Sequence, residues 1–250
     1  MLETLADFNL SNLIWMAGGI FAAAVLRAFT GFGFALAALP LLSLFLAPGT
    51  AASIIVLLTL IVSVQTFRSY ARDVEFKPMV PMLVLLALGT GVGTYILLII
   101  AADTFKIVIG VTVMVACFLL SLYKPSKSQT GGVKSWAAGF SSGLLNGALA
   151  IPGPPVIVYA MAVFPEPKKS RAFLMMFFLF SATFAAGSYA TTGIIGVQEL
   201  VLTLAASPAM LAGDKLGFWL FGRYGKAAYR NTAIAVLFAI GASVTATALF

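Results

Sequence analysis

Apolar residues run along this 250-residue chain in long blocks separated by short polar segments. Six blocks have the length of one bilayer crossing: 50–68, 79–101, 104–122, 170–192, 199–221 and 227–249. A helix needs about 20 apolar residues to cross the hydrocarbon core, so each block predicts one transmembrane helix. Two blocks, 12–47 and 135–164, are too long for one such helix and short for two. Each is interrupted near its middle, by Thr30-Gly31-Phe32-Gly33 and by Ile151-Pro152-Gly153-Pro154-Pro155. Glycine and proline break helices. Each long block therefore predicts a broken-helix hairpin whose turn lies at membrane depth.

The charges fall between the blocks and set the topology. Arg68, Arg72 and Lys77 mark one cytoplasmic loop; Lys124, Lys127 and Lys134 a second; Lys168, Lys169 and Arg171 a third; Arg223, Lys226 and Arg230 a fourth. The segments 101–106 and 193–199 hold Lys106 as their one cation, beside Asp103 and Glu199, and belong outside. Both flanks of 135–164 are basic, which a hairpin satisfies and a single crossing violates. By the same parity 12–47 is a hairpin entered from outside, and both termini lie outside. The fold class that follows is an all-α polytopic membrane protein of two inverted repeats. Residues 1–123 form the first, 124–134 a cytoplasmic linker and 135–250 the second; each repeat is one hairpin plus three crossings. The spacing agrees: Gly89-x-x-x-Gly93 precedes Phe105-Lys106 by the same interval as Gly213-x-x-x-Gly217 precedes Tyr229-Arg230, at an offset of 124 that also sets Gly31 opposite Pro155. Inverted repeats with broken helices are the architecture of secondary transporters, which bind substrate near the midplane.

Composition narrows the function. Hydrophobic residues make up 61% and charged ones 9%, and mean hydropathy is +1.06. A soluble domain carries about a quarter charged residues, so a soluble enzyme or nucleic-acid module is excluded. The net charge of +7 sits in loops and is no groove-binding footprint. Histidine is absent and Cys117 is the single cysteine, leaving no metal cluster, paired thiol or ordinary acid–base pair. No cofactor is expected. Met1 to Asn9 has Glu3 and Asp7 and no basic residue, so the first block is expected to stay in the mature chain rather than act as a signal peptide.

At the hairpins the chain resembles a known family. Arg27-Ala-Phe-Thr-Gly-Phe-Gly-Phe-Ala-Leu-Ala-Ala-Leu-Pro40, Ala138-Gly-Phe-Ser-Ser-Gly143, Gly153-Pro-Pro-Val-Ile-Val-Tyr159 and Arg171-Ala-Phe are similar to the sulfite exporter TauE/SafE family, from about Leu13 to Ala246. Asn146-Gly-Ala-Leu-Ala departs from relatives that run more glycine through this hairpin. The resemblance implies a prokaryotic inner-membrane permease that moves sulfite, sulfoacetate or another organosulfonate. The substrate class comes from the resemblance alone.

An anion in a membrane must exchange its hydration shell for fixed donors. Two hairpin tips would supply them, since the second arm of each presents a helix N-terminus to the centre. Gly31 and Gly33 allow close backbone approach, Thr30 suits an N-cap for an arm starting at Gly31, and Gly153, Pro154 and Pro155 suit a first helical turn. The same residues would also serve merely to turn the chain. Arg27 is an intramembrane cation, costly there and able to hold two oxyanion oxygens; its other reading is a cation at the end of the first arm, or one snorkelling outward. Asn146, Gln65 and Tyr159 are further candidate donors, as are Ser141, Ser142 and Ser181, though small polar groups also serve as glue between helices. Asp214 is the candidate carrier of a coupling proton and Lys215 a second anion contact, or both form a structural pair. Arg171 reads as a topology determinant. Phe29, Phe32 and Phe34 flank the first tip, as packing or as a dry gate.

The partners expected are a small anion, the lipid bilayer, a coupling proton or cation, and further copies of the chain, with no nucleic acid. A channel shares most of this pattern and is separated from a permease by saturable, coupled flux. A membrane enzyme lacks a nucleophile constellation here, and an assembly factor would need larger polar loops.

Overall fold

The computed structural model describes residues 10–30, 33–122, 132–164 and 166–224, in which every regular element is helical. The order is α1 (Leu10–Thr30), α2 (Phe34–Leu42), α3 (Pro48–Tyr70), a 3-10 turn (Ala71–Asp73), α4 (Val80–Ile99), α5 (Ala102–Leu122), α6 (Val133–Leu149), α7 (Gly153–Val163), α8 (Pro167–Thr191) and α9 (Val197–Tyr224). Segments of α1, α4 and α8, and one from α3 into the 3-10 turn, are long and apolar enough to cross a membrane: Ser11–Ala28, Pro48–Asp73, Val80–Ile99 and Lys168–Thr191. The expected crossing at 227–249 and most of the expected linker lie outside the described residues. Large apolar side chains such as Trp15, Val84, Leu88, Tyr95, Leu204 and Trp219 are exposed along these helices, a surface suited to lipid.

Both long apolar blocks are broken where glycine and proline stand. The two arms are unequal: 21 and nine residues in α1 and α2, 17 and 11 in α6 and α7. Leu41 of α2 comes back against Gly19 of α1, so the chain reverses. Helix α2 opens on Gly33 at φ 94°, a conformation that glycine takes without a Cβ penalty. Helix α6 stops at Ala150, whose φ of 53° is the only positive value of a non-glycine among the described residues. Its N–H still donates to the Asn146 carbonyl at 2.8 Å. Strain of this kind persists only where the surroundings over-determine it. Helix α7 then opens with Pro154 in its first turn, where a missing N–H costs least.

Two helix pairs meet backbone to backbone. A Cβ added at Gly89 of α4 would stand 2.9 Å from Leu144 N of α6, and one at Gly93 would stand 2.7 Å from Ala148 N. From the other side, Gly139, Gly143 and Gly147 of α6 lie against Met82, Leu86 and Thr90 of α4. The second pair is α1 with α9: Cβ atoms added at Gly213 and Gly217 would lie 2.9 and 2.7 Å from the Cβ atoms of Ala24 and Ala28. Small residues let membrane helices approach this closely, which is how lipid-embedded bundles gain dispersion energy.

Polar ties hold the two ends of the bundle. At one end Lys168 and Lys169 of α8 pair with Asp73 at 3.0 Å and Glu75 at 2.9 Å, which joins two of the basic loops. At the other end Glu199 accepts from the Thr50 hydroxyl at 2.8 Å and the Gly196 N–H at 3.0 Å, joining the starts of α3 and α9. The single offset of 124 does not hold through the chain. Phe34 and Gly153, which open α2 and α7, are 119 apart, as are Pro48 and Pro167, which open α3 and α8. Five more residues separate Pro167 from Gly213 than separate Pro48 from Gly89.

Candidate functional site

A cavity of about 40 Å³ lies where the two breaks meet. The first break contributes Gly33 and Phe34, and α1 contributes Arg27. The second contributes Ala150 to Gly153, and α6 contributes Asn146. Thr59 and Ser63 of α3 and Phe178 and Ser181 of α8 also line it, and the apolar Ala35, Leu36, Val56 and Ala182 fill the rest of the wall. A water needs about 10–15 Å³ of such volume, so the space takes about three water-sized groups.

Arg27 is 8% exposed and does not snorkel outward. Its Nη1 donates to both carboxylate oxygens of Asp214 of α9, at 3.2 and 3.4 Å. This is an end-on arrangement through one nitrogen, not the two-nitrogen fork that guanidinium offers an oxyanion. Among the described residues Nε and Nη2 have no other acceptor. Taking two charges out of water is costly, and removing one partner of such a pair costs about 3–5 kcal/mol.

Asn146 of α6 lines the same cavity. Its side-chain amide donates to the Thr90 hydroxyl of α4 at 3.2 Å and to the Ser181 carbonyl of α8 at 2.8 Å. Thr90 directly follows Gly89, as Asp214 follows Gly213. The fully buried Tyr189 of α8 donates to the carbonyls of Gly147 at 2.8 Å and Asn146 at 3.3 Å, which fixes the last turn of α6 before the strained Ala150.

Of the residues expected at a site, Arg27, Gly33, Asn146 and Gly153 share the cavity wall. Thr30 is the last residue of α1, and the next helix begins at Phe34, not at Gly31, with Gly33 as its cap. Gly31, Phe32 and the Thr30 and Phe29 side chains lie outside the described residues. Pro154 is buried and Pro155 half-buried in the first turn of α7, outside the cavity wall. Tyr159 is buried beside Phe173 with ring centres 6.1 Å apart, in a separate apolar cluster. Gln65 is exposed and lines a second, larger opening of about 600 Å³. Asp214 and Lys215 line that opening too, and Lys215 is exposed there. Ser181 was one of several equivalent serines by sequence, whereas Thr59, Ser63 and the Arg27–Asp214 pair had no local signature. The one signal for the pair was two ionisable residues of opposite sign, each inside an apolar block.

Apolar helices of spanning length, two broken helices and a largely apolar cavity between them that holds one buried cation among the described residues define a polytopic membrane protein of transporter type. The model of the sulfite exporter TauE/SafE family matches residues 16–244, nearly the whole chain, and the chain belongs to that family. Membership makes it a membrane permease of the sulfur-anion export class, and not an enzyme. No curated protein and no solved structure matches the chain.

Proposed function

We propose that the protein is a secondary transporter that carries a small sulfur oxyanion of sulfite size across the inner membrane, bound in the cavity between the two breaks. The observation that carries this reading is the convergence of both chain breaks, Arg27 and Asn146 on one cavity. The uncommitted donors of Arg27, Nε and Nη2, suit two oxygens of the anion; Asn146 lines the same wall, with both amide hydrogens given to Thr90 and Ser181. Room for about three water-sized groups favours sulfite over an anion with an organic tail, which would need the hairpins to part.

The two halves form inverted repeats in this reading. In support, Arg27–Asp214 and Asn146–Thr90 join corresponding helix pairs at the same 3.2 Å. Arg27 and Asn146 are 119 apart, the interval between the hairpin arms; Thr90 and Asp214 are 124 apart, the interval between the glycine pairs. Each pair thus takes one residue from each half, and one pair is charged where the other is its neutral counterpart. The end carrying Asp73, Glu75 and Lys168 to Arg171 is cytoplasmic, and both termini lie outside. An inside-negative potential drives an anion outward, so export runs without a coupled ion, whereas uptake needs one, with Asp214 as its carrier.

The test is flux of radiosulfur-labelled sulfite into proteoliposomes under an imposed potential. Saturable flux above empty liposomes is expected. Equal counts in loaded and empty liposomes would remove sulfite as the substrate.

A further inference from the structure

The opening of about 600 Å³ lies at the basic end of the bundle, lined from α3, α8 and α9. Four cations face it, Arg68, Lys168, Arg171 and Lys215, against two carboxylates, Asp73 and Asp214. Both carboxylates are already engaged, Asp73 by Lys168 at 3.0 Å and Asp214 by Arg27 at 3.2 Å. Arg68, Arg171 and Lys215 have no carboxylate partner among the described residues. Lys215 and Arg68 are exposed and Arg171 half-buried, with its guanidinium 5.8 Å from the centre of the Phe218 ring. Such a surface concentrates anions, and low-dielectric walls raise the effect.

The Arg27–Asp214 pair stands between this vestibule and the cavity at the breaks. Arg27 lines the cavity and Asp214 lines the vestibule. An anion moving from one to the other meets the Asp214 carboxylate first, which repels it, and Arg27 behind it, which attracts it. The anion engages the free Nε and Nη2 first, and a guanidinium drawn round to face it squarely gives up the single-nitrogen Nη1 bond to Asp214.

We propose that the basic vestibule is a second anion site, the cytoplasmic waiting position of the substrate, and that the Arg27–Asp214 pair is the partition it crosses by taking Arg27 from Asp214. This rests on the permease reading above. The oxyanion first exchanges water for Arg171, Lys215 and Arg68 in a wide, hydrated space. It then replaces Asp214 on the guanidinium, and no covalent bond changes. Asp214 is a competitor for Arg27, so its charge sets how tightly the cavity holds the anion and how readily it lets go. The neutral Asn146–Thr90 counterpart has no such competition, which makes the two sides of the cavity chemically different.

Sulfite flux in inside-out and right-side-out membrane vesicles tests this, using the full chain. In inside-out vesicles, where the vestibule faces the bath, Arg171→Ala/Lys215→Ala is expected to raise KM about tenfold, at the low end of the range for charge-lined clefts. Maximal flux stays within about twofold, and the KM difference shrinks in high salt, which screens exposed charge. Asp214→Asn keeps the shape and removes the competing charge; KM and maximal flux are both expected to fall, whereas a merely structural role would not tighten KM. An unchanged KM in the double variant, or a rise confined to right-side-out vesicles, overturns the vestibule. A raised KM in Asp214→Asn overturns the exchange. The double variant lies in an open, hydrated space, so it remains decisive if Asp214→Asn does not fold. Absence of wild-type flux for sulfite and for short sulfonates would instead overturn the permease reading.

Discussion

Gly147→Ala places one methyl group between α4 and α6 beside the candidate site. Its Cβ would stand 2.6 Å from Thr94 N and 2.9 Å from Gly93 C, and would press on the Thr90 carbonyl oxygen. Ordinary contact begins near 3.4 Å, and every one of these neighbours is backbone, which cannot rotate away. The helices must part by about 1 Å. Overpacking of this kind costs about 1–3 kcal/mol. The parting also stretches the Asn146–Thr90 bond, now 3.2 Å, out of hydrogen-bond range, for about 1–3 kcal/mol more. A total near 2–6 kcal/mol corresponds to a fall in Tm of about 4–24 °C at 2–4 °C per kcal/mol for a chain this long. The assay is thermal unfolding of purified protein in detergent. Gly91→Ala and Gly187→Ala are the controls, because a Cβ at either position meets nothing within 4 Å. Those two are expected to be neutral or stabilising by about 0.5–1 kcal/mol, the helix cost of glycine. A Tm for Gly147→Ala equal to that of Gly91→Ala would refute the close α4–α6 approach and, with it, the placement of Asn146.

Other substitutions separate stability from transport. Arg27→Ala alone is expected to lower stability by about 3–5 kcal/mol, since Asp214 is left buried and unpaired; Arg27→Ala/Asp214→Ala recovers most of it, which thermal unfolding would read. Tyr189→Phe removes the donor to the Gly147 and Asn146 carbonyls; about 1–3 kcal/mol is lost, and sulfite flux falls because the turn at Ala150 loosens. Glu199→Gln weakens the tie to Thr50 and Gly196 at the far end of the bundle; about 1–2 kcal/mol is lost with sulfite KM unchanged, and a shifted KM would contradict a purely structural role.

The helical, membrane-spanning character was legible because length and apolarity are local properties. The breaks in 12–47 and 135–164 were legible for the same reason: Gly33 and Pro154 carry their backbone preferences with them. Arg27 stood out because a cation inside an apolar block is costly wherever it points. Its partner was not legible, since Asp214 is 187 residues away and only tertiary structure brings them together. The second arm was expected to start at Gly31 and starts at Phe34, because Gly33 in its left-handed conformation opens the helix without a side-chain cap. Depth along a helix was also hidden: Gln65 and Tyr159 sit in apolar blocks, yet one faces the vestibule and the other an aromatic cluster. The glycine pairs were visible as a spacing, but their partners Ala24, Ala28 and Gly143 emerge only when the helices meet.

The most direct measurement is sulfite flux in proteoliposomes by wild type and by Arg27→Ala/Asp214→Ala, both first shown to be folded by thermal unfolding. Among the described residues Arg27 is the one cation in the cavity wall, and without it the anion must surrender its hydration for neutral donors alone. The account predicts saturable wild-type flux that the folded double variant loses. Equal flux from both would contradict it, because the anion would then cross without the guanidinium at the centre of the proposed site.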